Sequence, residues 1–188
     1  MVEELTTYIA HAPPARMLNL GSEYNRLMEA SPTEWVCFLD HDAMWLKRDW
    51  YQRLLNGINY DPGVGMLSVQ SNRIGLSVQR IPKSERIHNI SVLRRQAMSQ
   101  TGKPMEVKDQ LSGVVIVTSK SVWNQVGGFS DGFLGVDWQY CQKVREYGYK
   151  LMLLRDNPVY HWYRADGDKE HVTQANAMYE NHYKRPLV

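Results

Sequence analysis

Short apolar runs alternate with amphipathic stretches along most of this chain, and this alternation is typical of an α/β protein. The apolar runs are nearly continuous, as expected for strands that are buried on both faces of a sheet. Five such strands are predicted, at residues 5–10, 35–39, 64–69, 111–118 and 150–154. We therefore expect an α/β sheet with helices packed on its faces.

Stretches in which apolar residues recur every three or four positions separate the strands and predict helices. They cover residues 20–30, 48–58, 85–99, 119–126 and 137–147. After Trp162 the chain becomes polar, and we predict one more helix over residues 169–183. The length of 188 residues suits one compact domain. We expect that domain to span residues 1–165 and a helical tail to span residues 166–188.

The charge balance argues against one large functional class. Lys and Arg number 22 and Asp and Glu number 20, a net charge of +2, whereas a dedicated nucleic-acid-binding protein carries a clustered basic surplus. Cys37 and Cys141 lie in apolar contexts without metal-ligand spacing, which favours a reduced protein. No apolar run has the length of a membrane helix, and residues 1–10 lack the basic start of a signal peptide. We expect a cytoplasmic protein.

Two carboxylates follow the most apolar strand. Asp40 and Asp42 come directly after residues 35–39 and are one residue apart. In extended chain, residues two apart point to the same side, so both side chains can converge at the carboxyl end of a strand, where α/β sheets bind ligands. Hard oxygen ligands there suit Mg²⁺ or Mn²⁺. A strand that runs into a solvated turn would explain the same tripeptide, so both interpretations stay open.

Two further residues could carry chemistry. Asp137 stands at the start of the predicted helix 137–147, where Asp is either an N-cap or a carboxylate able to accept a proton from a substrate. His161 closes an aromatic-rich segment, where it is either a packed core residue or a further ligand of a metal at Asp40 and Asp42.

Together these segments resemble the family 2 glycosyltransferases. Residues 19–26 and 34–42 look like the helix and strand that lead to the family's D-x-D motif, and residues 111–118 and 126–129 resemble its acceptor-side strand and Gly-Gly-Phe motif. Asp137, Arg145 and Gly148 fall where the family has its Glu-Asp, Arg and Gly. The resemblance extends from about Asn19 to His161.

The resemblance implies a GT-A fold, with a mixed sheet flanked by helices, and inversion at the anomeric carbon. It implies that Asp40 and Asp42 hold Mn²⁺ or Mg²⁺ together with the diphosphate of a nucleoside-diphosphate sugar, with uridine the family's commonest base. It further implies that Asp137 is the catalytic base toward a carbohydrate or other hydroxyl acceptor, and that His161 joins the metal site.

The predicted donor-binding set comprises Asp40, His11, Asn72 and Arg73. Basic side chains of the central and C-terminal segments either close over the phosphates or are ordinary solvated surface residues, and both interpretations stay open. They include Arg73, Arg80, Arg164 and Lys169.

The chain departs from the family pattern at two places. Val136 stands where the family has a second acidic residue beside Asp137, and only residues 6–13 correspond to the family's first strands. We therefore expect a nucleotide pocket that is reduced or completed by a partner subunit. An uncovered sheet edge is a liability for a protein, so a homodimer through residues 5–10 and the tail is expected to cover it. A C-terminal helix folded back on the same chain is the alternative.

Two other functions stay open beside glycosyl transfer. A non-catalytic subunit that binds nucleotide or sugar agrees with the short N-terminal part. A nucleotidyltransferase would need a Gly-rich basic phosphate loop near the first strand, and residues 11–14 do not form one.

Overall fold

A single mixed sheet forms the centre of the computed structural model, which describes residues 1–9, 19–84 and 89–162. Within these residues the sheet has seven strands, and their order is β1-β2-β6-β4-β7-β3, with β5 also paired to β7. The strands are β1 (Leu5–Ile9), β2 (Trp35–Leu39), β3 (Ala43–Trp45), β4 (Val64–Ser71), β5 (Met105–Val107), β6 (Val115–Ser119) and β7 (Lys150–His161).

Four strands point in the same direction. β1 pairs in parallel with β2, and β4 pairs in parallel with β7, while β6 lies between β2 and β4 and is antiparallel to both. The carboxyl ends of β1, β2, β4 and β7 therefore meet at one edge of the sheet, and β6 begins at that same edge. This is the edge at which α/β sheets place their ligands.

Helices cover both faces of the sheet. They are α1 (Leu20–Ala30), α2 (Trp50–Ile58), α3 (Ile90–Ser99), α4 (Lys120–Gln125) and α5 (Val136–Glu146). The apolar faces of α1, α4 and α5 join one core with alternate residues of β2 and β6, such as Phe38 and Ile116. α2 contributes to a second core with the intervening strand residues, such as Cys37 and Val117. The strands are therefore buried on both faces, which confirms the predicted α/β architecture.

Three helices begin with a side-chain cap. Asn19 accepts a hydrogen bond from the backbone N–H of Ser22 at the start of α1, and Ser119 accepts one from Val122 at the start of α4. Asn89 does the same for α3. Residues 85–88 lie outside the described part of the chain, so the helix predicted over 85–99 is described from residue 90 onward.

β7 is longer than the sequence predicts. It continues past Leu154 to His161, and its polar stretch 155–158 lies opposite a single residue of β4. Val69 pairs with Leu154, but Ser71 already pairs with Val159, so the four intervening residues of β7 form an irregularity that accommodates Pro158. A polar run that contains proline is typical of a strand end, which is why the prediction stopped at residue 154.

Other differences from the sequence predictions are small. β3 and β5 have three residues each and contain exposed positions, so both are too short to be predicted from the sequence pattern. Helix α5 begins at Val136, and its N-cap is Gly135 in a left-handed conformation with φ of 75°. Asp137 is therefore the second residue of the helix, so the N-cap interpretation of Asp137 is wrong.

Two predicted features fall on residues that the structure does not describe. They are His11 and the tail over 166–188, with its predicted helix 169–183.

Cys37 and Cys141 are both buried and form no disulfide. None of the helices described here combines the length and apolar character that a membrane crossing requires. β1 forms one end of the sheet order, and the homodimer stays a prediction.

Candidate metal and active site

Two carboxylates and one imidazole converge at the carboxyl edge of the sheet. His161 Nε2 lies 3.1 Å from Asp42 Oδ1 and 3.6 Å from Asp40 Oδ2. One potential ligand atom from each of the three residues lies within 4.8 Å of the others. The imidazole is buried, with 7% of its side chain exposed, whereas the side chains of Asp40 and Asp42 are 34% and 26% exposed. A ligand can therefore reach the carboxylates from solvent.

The turn between β2 and β3 brings Asp42 to His161. Asp40 accepts a backbone hydrogen bond from Ala43 N–H, which closes the turn, and Ala43 then pairs with His161 across the β3–β7 ladder. The N–H of Trp162 donates to the carbonyl of Asp42 over 3.0 Å. The short strand β3 thus fixes the position of the second carboxylate beside the end of β7.

The end of β4 fixes the orientation of His161. The side-chain oxygen of Asn72 accepts a hydrogen bond from the backbone N–H of His161 at 2.7 Å. His161 Nδ1 lies 2.9 Å from the carbonyl oxygen of Arg73. Because a carbonyl only accepts hydrogen bonds, Nδ1 carries a proton here, and Nε2 is the nitrogen that faces Asp40 and Asp42. When Nε2 is protonated it donates to Asp42, and when it is not it offers its lone pair to a cation.

The three groups shift one another's pKa values. Burial is the main reason that the pKa of Asp40 is raised; His161 opposes this rise, and the charges of Asp42 and Asp137 add to it. Burial also disfavours ionised Asp42, but the hydrogen bond with His161 and the charges of His161 and His41 together outweigh burial, and the pKa of Asp42 is lowered. Burial alone would lower the pKa of His161, yet Asp42 and Asp40 outweigh it and the pKa is raised. The arrangement favours a positive charge between the carboxylates.

This donor set fits a divalent cation. Two carboxylate oxygens and an imidazole nitrogen are ligands for Mn²⁺ or Mg²⁺, with Mg²⁺ the more dependent on oxygen. A metal-bound histidine usually donates its other ring N–H to a carbonyl or carboxylate, which fixes the ring. The Arg73 carbonyl occupies that position here. The residues Asp40, Asp42 and His161 therefore have both the ligand atoms and the supporting hydrogen bond of a metal site.

Asp137 lies close enough to Asp40 for its charge to add to the rise in the pKa of Asp40. Its Oδ2 accepts a hydrogen bond from the backbone N–H of Gly113 at 2.8 Å, and its Oδ1 accepts one from Trp138 N–H at 2.9 Å. Burial raises the pKa of Asp137 despite these hydrogen bonds. A carboxylate with a raised pKa is a better proton acceptor than an ordinary one.

The segment 111–114, just before β6, forms hydrogen bonds with the backbone of Asp40 and with the carboxylate of Asp137. The carbonyl of Val114 accepts a hydrogen bond from Asp40 N–H at 3.1 Å, next to the Gly113 N–H that binds Asp137. Ser112 N–H donates to Oε1 of Gln79 at 2.6 Å, and Gln79 is completely buried. The segment has no regular structure, yet its backbone is held at each of these residues.

The structure gives several predicted residues a defined place. Asn72 is buried, with 1% exposure, and its side-chain oxygen is engaged by the His161 backbone. Its geometry indicates a role in positioning His161, while its predicted contact with the donor stays a prediction. The backbone of Arg73 also supports His161, and the guanidinium of Arg80 donates to the carbonyl of Ile74. His11, Arg164 and Lys169 lie outside the described residues.

Sequence reasoning missed Gln79 as a support of the site. Gln79 lies in a single turn of 3₁₀ helix, Ser77–Gln79, within the polar central segment. Its hydrogen-bond partners are Ser68 and Val69 of β4 and Ser112 of the segment before β6. All three lie ten or more positions from Gln79, so no local spacing in the sequence points to it.

Comparisons with known proteins place this arrangement in a fold class. The chain matches no protein-family model, and no curated protein is significantly similar to it. Among solved structures, it is similar to the mannosyltransferase PcManGT from Pyrobaculum calidifontis in complex with GDP-Man and Mn²⁺, with 19% identity, a TM-score of 0.49, and coverage of 75% of this chain and 35% of that chain. It is also similar to GalNAc-T7 with UDP, GalNAc and Mn²⁺, with 13% identity, a TM-score of 0.55, and coverage of 78% and 30%.

This chain therefore spans about a third of the length of the solved structures that it matches. At such low identity the likeness to GalNAc-T7 concerns the fold alone. It confirms the predicted fold class, and the chain has a GT-A-type α/β fold, with a mixed sheet flanked by helices.

Proposed function

We propose that this chain is a metal-dependent glycosyltransferase, similar to family 2, that moves a sugar from a nucleoside diphosphate to an acceptor hydroxyl with inversion. The observation that carries the proposal is the convergence of Asp40, Asp42 and His161 at the carboxyl edge of a GT-A-type sheet. A structural turn would not require His161 Nε2 to face both carboxylates, nor a carbonyl to hold its Nδ1.

Asp40, Asp42 and His161 would hold Mn²⁺ or Mg²⁺, and a cation bound there supplies Lewis-acid stabilisation of the departing diphosphate. Asn72 and Arg73 keep the imidazole in the ligating orientation through the hydrogen bonds described above. The predicted donor contacts of Asp40, Arg73, Asn72 and His11 belong to this proposal.

Asp137 is the proposed catalytic base. It accepts the proton of the acceptor hydroxyl as that oxygen attacks the anomeric carbon from the face opposite the diphosphate, and this attack inverts the configuration. Gly113 N–H and Trp138 N–H hold its carboxylate in place. Val136 beside it offers no second carboxylate, so one acidic side chain performs this role.

A uridine nucleotide with Mn²⁺ is the first donor combination to test. The structure of GalNAc-T7 contains UDP and Mn²⁺, which supports this choice. The acceptor is a carbohydrate or another hydroxyl compound.

A non-catalytic, nucleotide-binding subunit is the second candidate function. The observation in its favour is Val136, which leaves Asp137 without the second acidic residue of the family motif. The two functions share the metal site and differ in turnover, so one experiment separates them.

The experiment combines binding and turnover. Calorimetry with UDP is expected to show binding in the presence of Mn²⁺ and none with the metal chelated, and Asp42→Ala is expected to abolish this binding. Asp61→Ala is the matched control, because Asp61 pairs with Lys150 at the opposite edge of the sheet. Undiminished affinity in Asp42→Ala would overturn the metal assignment.

Turnover is measured with UDP-glucose, UDP-galactose, their N-acetyl forms and GDP-mannose. Release of the nucleoside diphosphate indicates glycosyl transfer or donor hydrolysis, whereas release of the sugar 1-phosphate would indicate transfer of the nucleotidyl group. Binding without turnover of any donor would favour the non-catalytic subunit. The anomeric configuration of the product, read by NMR, tests inversion.

A further inference from the structure

Four aromatic rings pack together on the face of the sheet that carries α1 and α5. Tyr24 of α1 lies 4.6 Å from Phe38 of β2 and 5.0 Å from Phe129, measured between ring centroids. Phe129 in turn stacks on Tyr140 of α5 at 4.0 Å. The rings thus form a continuous path from the D-x-D strand to the helix that bears Asp137.

The cluster lies next to both proposed functional carboxylates. Phe38 precedes Asp40 by two residues and so shares its side of the sheet. Tyr140 follows Asp137 by three residues, close to one helical turn. Tyr24, which packs against Phe38 and Phe129, is therefore near both acids, and their charges act on its hydroxyl.

The two tyrosines of the cluster differ in the hydrogen bonding of their hydroxyl groups. The hydroxyl of Tyr140 forms a hydrogen bond with Thr118 Oγ1 at 2.8 Å. The hydroxyl of Tyr24 forms no hydrogen bond with any residue in the described parts of the chain, although Tyr24 is only 3% exposed. The hydroxyl oxygen of Tyr24 is not one of the fully buried polar atoms that lack a partner in the described residues, so it keeps contact with solvent, and a ligand beside the proposed active site can reach it.

The chemistry around this hydroxyl defines the group that it can bind. Burial, with the added charges of Asp40 and Asp137, raises the pKa of Tyr24 well above its ordinary value, so the phenol keeps its proton and acts as a donor. The neighbouring carboxylates are acceptors when ionised. A ligand group that accepts from a phenol and donates to a carboxylate is itself a hydroxyl, and sugars are rich in such groups.

We propose that the hydroxyl of Tyr24 binds a ring hydroxyl of the transferred sugar, between the Asp40–Asp42–His161 cluster and Asp137. This inference rests on the proposed function and deepens it, because the transferred sugar must lie between its diphosphate at the cluster and the attacking oxygen at Asp137. Tyr24 is then a residue that recognises the donor sugar, separate from the groups that hold the nucleotide.

Tyr24→Phe tests this assignment, because it keeps the ring that packs on Phe38 and Phe129 and removes only the hydroxyl. The melting temperature is expected to stay unchanged, and so is the affinity for UDP with Mn²⁺. The kcat/KM for the best of the five nucleotide sugars is expected to fall about five- to tenfold, the scale of one neutral hydrogen bond.

Tyr140→Phe is the matched control within the same cluster. It removes a hydroxyl that is paired with Thr118 in the core, so it is expected to lower the melting temperature and to leave kcat/KM within about twofold of the wild type. A purely structural role of Tyr24 would make the two variants alike.

Deoxy analogues of the best donor identify the hydroxyl concerned. With the wild type, one deoxy analogue is expected to have a kcat/KM about five- to tenfold lower than that of the parent donor. With Tyr24→Phe, that analogue and the parent donor are expected to have the same kcat/KM. Equal kcat/KM for Tyr24→Phe and the wild type would overturn the Tyr24 assignment alone. A wild-type protein that turns over none of the five nucleotide sugars would overturn the proposed function, and this inference with it.

Discussion

Gly113 and Asp137 are in direct contact as well as hydrogen bonded. A methyl group on residue 113 would lie 3.1 Å from Cβ of Asp137 and 3.4 Å from its Oδ2. The 3.1 Å distance is shorter than nine in ten contacts of real Cβ atoms, so a methyl group at this position requires Asp137 to shift by a few tenths of an ångström. The absence of a side chain at Gly113 therefore determines where the proposed base lies.

Gly113→Ala is expected to lower kcat for sugar transfer by about tenfold, because small displacements of a catalytic group are costly. The melting temperature is expected to fall only slightly, since neighbouring groups need to move by a few tenths of an ångström. Gly75→Ala is the control, because a methyl group there would meet no atom within 4 Å. A Gly113→Ala enzyme as active as the wild type would show that the position of Asp137 does not matter to the reaction.

Asp137→Asn is expected to reduce transfer by at least about a hundredfold, the usual scale for the loss of a general base. An amide can still accept one of the hydrogen bonds from Gly113 and Trp138, so the folded structure is expected to persist. Single-turnover kinetics under saturating donor provide the measurement. Retention of transfer would leave Asp137 with a structural role only.

Asp137→Asn is also expected to change how the stability of the protein depends on pH. The folded protein raises the pKa of Asp137 by burial, so it binds this proton more tightly than the unfolded chain does. The stability that this proton contributes is present at low pH and is lost as the pH rises from the ordinary Asp value, about 4, through the folded value.

Asp137→Asn, which cannot ionise, should therefore become more stable relative to the wild type as the pH rises. Urea unfolding of both proteins at pH 4 and pH 7.5 measures the difference in the free energy of unfolding. A difference that is the same at both pH values would contradict the raised pKa.

Asn72→Ala is expected to weaken Mn²⁺ binding by about tenfold or more, the scale for loss of an outer group that orients a metal ligand. It leaves the buried N–H of His161 without its partner, so the free energy of unfolding should fall by about 1–3 kcal/mol. Calorimetric titration with Mn²⁺ and urea unfolding measure the two effects.

Asn157→Ala provides the comparison, because Asn157 is a completely buried amide of the same strand as His161 and donates to the carbonyl of Trp50. It should cost a similar amount of stability and leave the Mn²⁺ affinity unchanged. Equal losses of affinity in both variants would mean that Asn72 acts through general stability.

The sequence predicts the parts of this protein that depend on local pattern. β2 is five apolar residues in a row. The change to polar residues after Leu39 marks the end of the strand, and this places Asp40 and Asp42 at that end. Helix α1 matches its predicted bounds, because its apolar period and its Asn19 cap are both local features.

The remaining parts depend on contacts between distant residues. The extension of β7 to His161 requires the irregular pairing opposite β4, which no property of residues 155–158 reveals. The support of segment 111–114 by Gln79 joins residues more than thirty positions apart. The unpaired hydroxyl of Tyr24 is visible only when its surroundings are known, since in the sequence it is one more apolar position of a helix.

Adjacent residues before β6 hold Asp40 and Asp137, and this has a consequence for how such a protein can diverge. Val114 holds the backbone of Asp40 and Gly113 holds the carboxylate of Asp137, whatever the length of chain between the two acids. The connection between β4 and α3 is constrained as well, because it contains Asn72, Arg73 and Gln79, which support His161 and Ser112. Insertions are therefore expected in connections at the opposite edge of the sheet, such as that between α2 and β4, where they leave both acids in place.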